Sequence, residues 1–110
     1  ITGTSGDHGT AIMVSRNNLL ISSGIKSDCT TLIDLSSEIL KYGSDIRILR
    51  DPTRGGVATT LNEFVEGGSF SIELNEESIT VREGVLIAFE ILGLDHLYCA
   101  NEVKIVAVVS

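Results

Sequence analysis

Apolar residues recur along this chain with two periods, and the switch between them marks its elements. Val57, Ala58, Leu61, Phe64 and Val65 fall on one helical stripe that opens at Gly55-Gly56 and stops at Gly67-Gly68. Val85, Leu86, Phe89 and Leu92 form another, closed by Gly93. Leu32, Leu35 and Ile39 predict a helix near 31–42, with Asp28 or Thr30 as cap and Gly43 as a left-handed stop. A shorter helix is expected over 9–16, with Asp7 capping it and Ala11, Ile12 and Met13 facing inward, and residues 17–27 read mainly as loop. Period two appears where Ile46 and Ile48 alternate with Asp45 and Arg47, a strand that must end at Asp51-Pro52 because proline removes a donor and restricts its neighbour. Phe70, Ile72 and Leu74 predict a second strand and residues 103–109 a third. The order helix, helix, strand, helix, strand, helix, strand favours a sheet covered by helices.

Composition narrows the class. The chain has 110 residues, enough for one domain and a modest core, and 43% of them are hydrophobic, the profile of a folded globule. A net charge of −7 would repel a polyanion, so a nucleic-acid partner is not expected. Cys29 and Cys99 lie far apart with no Cys-x-x-Cys pair, which fits a reducing, cytoplasmic setting and offers no zinc spacing. No apolar run approaches the roughly 18 residues that cross a bilayer, so no membrane partner is expected. The chain opens without Met and closes on the apolar run after Lys104, so it is expected to be a segment of a longer protein.

The densest chemistry lies between the first strand and its following helix, in Arg50-Asp51-Pro52-Thr53-Arg54-Gly55-Gly56. A helix N-terminus offers free N–H groups and partial positive charge, and glycine lets an oxyanion approach the backbone, so Asp51, Thr53, Arg54, Gly55 and Gly56 are a candidate phosphate cradle. A capped tight turn explains the same residues equally well. No Gly-Lys-Ser or Gly-Lys-Thr follows, so this is not a Walker A loop. In Ala100-Asn101-Glu102 a carboxylate stands at the mouth of the last strand, where general acid or base work is available to it; a solvated turn carboxylate is the plainer alternative. In Gly6-Asp7-His8-Gly9, His8 either touches a ligand or stands exposed beside a cap. Cys99 reads as a small buried hydrophobe, His96 as a surface residue, and Glu73, Glu76 and Glu77 as a solvated edge.

Taken in order, Gly6-Asp7-His8-Gly9, Ser27-Asp28-Cys29, Arg50 to Glu63, Val81-Arg82-Glu83, Ile91 to Asp95 and Ala100-Asn101-Glu102 resemble the HypE family of hydrogenase maturation factors, nearly end to end. Asp-Pro-Thr-Arg-Gly-Gly is the most specific element, since aminoimidazole ribonucleotide synthetase and selenophosphate synthetase, of the same PurM-like superfamily, differ there. Two departures stand out: family members usually read Ala-Asn-Glu-Gly-Lys where this chain has Val103, and residues 17–26 look short and irregular.

The resemblance implies an α+β fold like the PurM C-terminal domain, a mixed sheet covered by helices and incomplete here, with residues 1–110 as part of the second domain of a two-domain protein. It implies an activity that uses ATP and Mg2+ to dehydrate a carbamoyl group on the protein's own C-terminal cysteine to a thiocyanate, whose cyanide goes to the iron of nickel-iron hydrogenases. Glu102 and Asn101 would then be catalytic, and Asp51, Thr53, Arg54, Gly55, Gly56 and His8 would face nucleotide or substrate. The implied partners are the carbamoyltransferase HypF, the HypC-HypD scaffold and a second copy of the full-length protein. This stretch alone is expected neither to hold ATP and Mg2+ nor to turn over. Two alternatives stand beside this reading: another ATP-dependent member of the superfamily, and a non-catalytic interaction module.

Overall fold

A computed structural model describes residues 1–17 and 24–110, so part of the loop expected over 17–27 lies outside the described residues. The elements run α1 (Asp7–Arg16), α2 (Ile33–Leu40), β1 (Ile46–Arg50), α3 (Gly56–Val65), α4 (Glu83–Leu92) and β2 (Val106–Val109), with single 3-10 turns at Gly43–Asp45, Glu76–Ser78 and His96–Tyr98. Strands β1 and β2 pair antiparallel, from Ile46 opposite Val109 to Arg50 opposite Val106, with an irregularity between Ile46 and Ile48. One parallel bridge, Ser5 to Val81, is the other β pairing among the described residues.

The core lies where α1 and α4 meet the turn that leads into β2. Val85, Phe89 and Cys99 are buried together, with Met13 and Val81 packed against them. Close approach there is made possible by Gly9: a Cβ at that position would stand 2.3 Å from Cys99 Sγ and 3.0 Å from the Ala100 carbonyl. Gly56 does the same for α3. A Cβ on it would lie 2.3 Å from the Leu97 carbonyl oxygen and 2.7 Å from that of Cys99.

Several sequence expectations are corrected by this packing. Asp7 is the first residue of α1 and makes no cap; it is 1% exposed, accepts a hydrogen bond from Thr4 and faces the Arg82 guanidinium. Ile12, expected inward, is exposed, and the buried positions of α1 are Asp7, Gly9 and Thr10. Helix α2 is shorter than 31–42 and begins at Ile33 with Leu32 in the N-cap position, so neither Asp28 nor Thr30 caps it, and the Asp28 carboxylate pairs with Lys104 instead. Residues 70–74 form no strand. Alternation gives a segment two faces but supplies no partner edge, and Ile72 and Leu74 instead line cavities beside Leu61 of α3 and beside β2. His96 is largely covered rather than a free surface residue: its Nε2 lies 3.1 Å from Glu76 Oε1, and its ring meets that of Phe89 edge-on.

The last strand is also shorter than expected, starting at Val106, and its approach is unusual. Val103 has φ +58°, and no other non-glycine among the described residues has a positive φ. A β-branched residue in the left-handed region carries backbone strain on the order of 1–3 kcal/mol. Val103→Gly is therefore expected to stabilise the chain by about 1 kcal/mol, after the extra chain entropy of glycine is set against the relieved strain. Urea unfolding checks this, and a lower midpoint at unchanged slope would contradict it.

Candidate functional site

Asn101 is where the segments carrying chemistry meet. The turn 96–98 and the residues after it run between α1 and α3, and their backbone is hydrogen-bonded on both sides. Gly9 N donates to the Ala100 carbonyl at 3.2 Å, and Asn101 N donates to the Pro52 carbonyl at 3.3 Å. The Asn101 side chain completes the junction: Oδ1 accepts from Gly6 N at 2.6 Å and from Ser5 Oγ at 3.4 Å, while Nδ2 donates to the Cys99 carbonyl at 3.0 Å. Gly-Asp-His-Gly meets the Asn101 side chain and Asp-Pro-Thr-Arg-Gly-Gly its main-chain N–H, so the three segments come together at one buried residue. With 1% of its surface exposed and both ends of its side chain occupied, Asn101 is placed to position its neighbours.

Glu102 follows directly and is half-buried. Its carbonyl accepts from Lys104 Nζ at 3.2 Å, and that ammonium, 4% exposed, is also paired with Asp28. A buried lysine needs such a partner, because an unpaired charge away from water is costly. Asp28 and Lys104 lie 76 residues apart, so the pair ties the segment before α2 to the entry of β2.

The Asp51–Gly56 turn is only partly open. Asp51, Arg54 and Gly55 are exposed and Thr53 half-buried, whereas Gly56 is buried against the backbone of residues 97–99. The close-packed turn accounts for Gly56, which leaves the cradle reading to the other four residues. Thr53 Oγ1 donates to Asp51 Oδ2 at 2.6 Å, and this bond holds the Asp51 carboxyl below the usual carboxylate range. Asp51, Thr53 and Arg54 line a cleft of about 260 Å³ together with Thr60, Arg50 and Glu63, the last two joined by an ion pair at 2.7 Å. Arg54 makes no ion pair among the described residues.

His8 belongs elsewhere. It lines a separate, mostly apolar cavity of about 530 Å³ between α1 and the end of α4, with Ile12, Met13, Phe89, Leu94 and Tyr98. Its Nδ1 stands 2.9 Å from Ser27 Oγ and 3.2 Å from Cys29 Sγ. The structure therefore does not bring His8 into the Asp51–Arg54 cleft. Cys99, by contrast, is buried, and burial pushes its thiol pKa up. Among the described residues no three His, Cys, Asp or Glu side chains converge as a metal site requires, and no helix is long and apolar enough to cross a membrane.

Sequence reasoning missed the Asp28–Lys104 and Asp7–Arg82 pairs. The available signal was Lys104 itself, a cation inside an apolar run, which has to find an anion once buried.

The sequence profile described as AIR synthase related protein, C-terminal domain, matches residues 1–110. The chain is 50% identical over its whole length to the carbamoyl dehydratase HypE of Bradyrhizobium diazoefficiens, of which it covers 32%. Among solved structures, a HypE-HypF complex matches with a TM-score of 0.93 and 44% identity, over 98% of this chain and 35% of that one. A hydrogenase maturation protein HypE in complex with ATP matches with a TM-score of 0.89 and 39% identity, over 97% of this chain and 32% of that one. The chain thus spans about a third of the length of the curated relatives it matches. The α+β class and the resemblance to HypE read from the motifs are both borne out.

If Asn101 joins the three segments, Asn101→Ala removes a buried acceptor and a buried donor together and is expected to destabilise the chain by about 2–4 kcal/mol. Ser5→Ala removes only the long 3.4 Å contact and should cost less than about 1 kcal/mol. Denaturant unfolding of the two variants gives the comparison; equal losses would show that Asn101 is not the junction.

Proposed function

The chain belongs to the family of AIR synthase related protein C-terminal domains, and from that premise we propose that it is part of the C-terminal α+β domain of a two-domain, HypE-type carbamoyl dehydratase. In this reading the whole protein dehydrates a carbamoyl group on its own C-terminal cysteine to a thiocyanate and supplies cyanide for the iron of nickel-iron hydrogenases. The observation that carries it is the junction at Asn101, which fixes Glu102 between two pinned backbone positions where three motifs of the HypE pattern meet.

The chemistry assigns roles to the residues. ATP supplies the phosphoryl group that makes the carbamoyl oxygen a leaving group. One proton of the carbamoyl –NH2 leaves to solvent as the oxygen is phosphorylated and the carbon–nitrogen double bond forms; Glu102 then takes the second N–H proton, so that the triple bond forms as the phosphate departs. Asn101 and Lys104 act through Glu102 by holding the backbone on either side of it. Arg54 offers a guanidinium to phosphate oxygens, and Asp51, kept ionised by Thr53, orients the turn that carries it. Where three carboxylate, imidazole or thiolate ligands are lacking among the described residues, Mg2+ would depend on the nucleotide and on the rest of the protein, so no step here runs through it.

ATP as co-substrate is supported by the similar HypE solved with ATP, and HypF as partner by the similar HypE solved with HypF. The HypC-HypD scaffold and a homodimer are what the resemblance implies, and the two widely spaced cysteines favour a cytoplasmic site of action.

In the full-length protein, Glu102→Gln should keep ATP affinity and slow thiocyanate formation by roughly 10²- to 10⁴-fold, the range for loss of a positioned acid or base. Mass spectrometry of the C-terminal peptide reads the product, and turnover at the parent rate would remove Glu102 from the reaction. Arg54→Ala should weaken ATP binding by about tenfold, the loss of one charge-assisted contact, with the thermal midpoint unchanged. Unaltered binding would return the turn to a purely structural role.

A further inference from the structure

The carbamoyl chemistry leaves the His8–Ser27–Cys29 cluster unused. Two segments about 20 residues apart bring an imidazole, a hydroxyl and a thiol into mutual contact: His8 Nδ1 to Cys29 Sγ is 3.2 Å, Ser27 Oγ to Cys29 Sγ 3.1 Å, and Ser27 Oγ to His8 Nδ1 2.9 Å. Ser27 Oγ also accepts from Cys29 N at 3.4 Å, which fixes the thiol-bearing residue against the hydroxyl. Cys29 is an exposed residue. His8 also lines the apolar cavity with Ile12, Met13, Leu94 and Tyr98. A thiol, a base within proton-transfer distance and an adjoining apolar surface are the elements of a nucleophilic sulfur site.

We propose that Cys29 is a nucleophilic thiol, with His8 as its base, that undergoes thiol–disulfide exchange with small disulfides carrying an apolar or aromatic group. As Cys29 Sγ attacks one sulfur of the incoming disulfide, His8 Nδ1 accepts the thiol proton and a new sulfur–sulfur bond forms to Cys29. The original disulfide bond breaks, and its other sulfur leaves as a thiol with the proton that His8 held. Cys29 is oxidised to the mixed disulfide, the departing half is reduced, and the disulfide itself is the oxidant. Ser27 positions the pair by touching both atoms. The adjoining cavity takes the apolar group of the reagent. Cys99 has no part in this, because its sulfur is buried in the core.

The test uses the full-length protein and neutral dithiodipyridine at pH 7, with each cysteine followed by peptide-resolved mass spectrometry. Cys29 is expected to react at least tenfold faster in the folded protein than in the same protein unfolded in urea, while Cys99 stays protected until unfolding. His8→Gln should bring the Cys29 rate down to that of the unfolded thiol. Continued protection of Cys99 in that variant shows that the fold is intact. Should His8→Gln unfold, Ser27→Ala provides the second arm, with an expected loss of about threefold. A native Cys29 rate at or below the unfolded one overturns the proposal, as does a rate that neither substitution changes.

Discussion

A single buried asparagine holds three segments of this fold in register through its side chain and its main-chain N–H. Asn101 accepts from the backbone at the start of α1 and donates to the carbonyl two residues before it, while its own N–H reaches the Pro52 carbonyl at the turn before α3. Such a side chain has no substitute of equal reach. Asp lacks the donor, Gln is a methylene too long for a packed site, and an apolar residue strands the Gly6 N–H. The close approaches at Gly9 and Gly56 depend on the same junction, for both glycines press against the backbone of residues 97–100. Two helices and the path into β2 are thereby fixed to one strip of main chain.

Charge is arranged around that strip in a consistent way. The chain carries an excess of acid, yet the buried ions are paired across long sequence distances: Asp28 with Lys104, and Asp7 with Arg82 at 3.3 Å. Asp7 is 1% exposed, whereas Arg82 stays largely in water. Pairs of this kind add little net stability compared with apolar packing, but removing one member leaves an uncompensated charge, so they specify which segments meet. Both pairs flank the junction, one at the start of α1 and one at the entry of β2.

What the sequence made legible follows the range of the physics. Helices α3 and α4 are read from local periodicity and end near the glycines that stop them, because a stripe at 3.6-residue spacing is a property of the segment itself. β1 is read as well, since Asp51-Pro52 punctuates it. The segment from Phe70 to Leu74 alternates just as well and is not a strand, because a strand is a relation between two segments and no ladder reaches this one. Asp7 reads as a cap from its neighbours and turns out to be one half of a buried pair, since Arg82 is distant in sequence. Within the candidate site, the motif order offered Glu102 and the Asp51 turn as candidates. The assignment of Asn101 to positioning, the burial of Gly56 and the separation of His8 from the turn came from packing that no local pattern encodes.

The strain at Val103 belongs to the same account. Asn101 is pinned on one side of Glu102, and Lys104 is pinned on the other by Asp28 and by its bond to the Glu102 carbonyl. With both ends fixed and β2 due to begin at Val106, the chain between them has to turn sharply, and it does so at residue 103 in the left-handed region. An unfavourable backbone angle persists only where the surroundings over-determine it. Here the over-determining contacts pin the backbone on either side of Glu102, so the strained position and the path of the chain through Glu102 are consequences of one constraint.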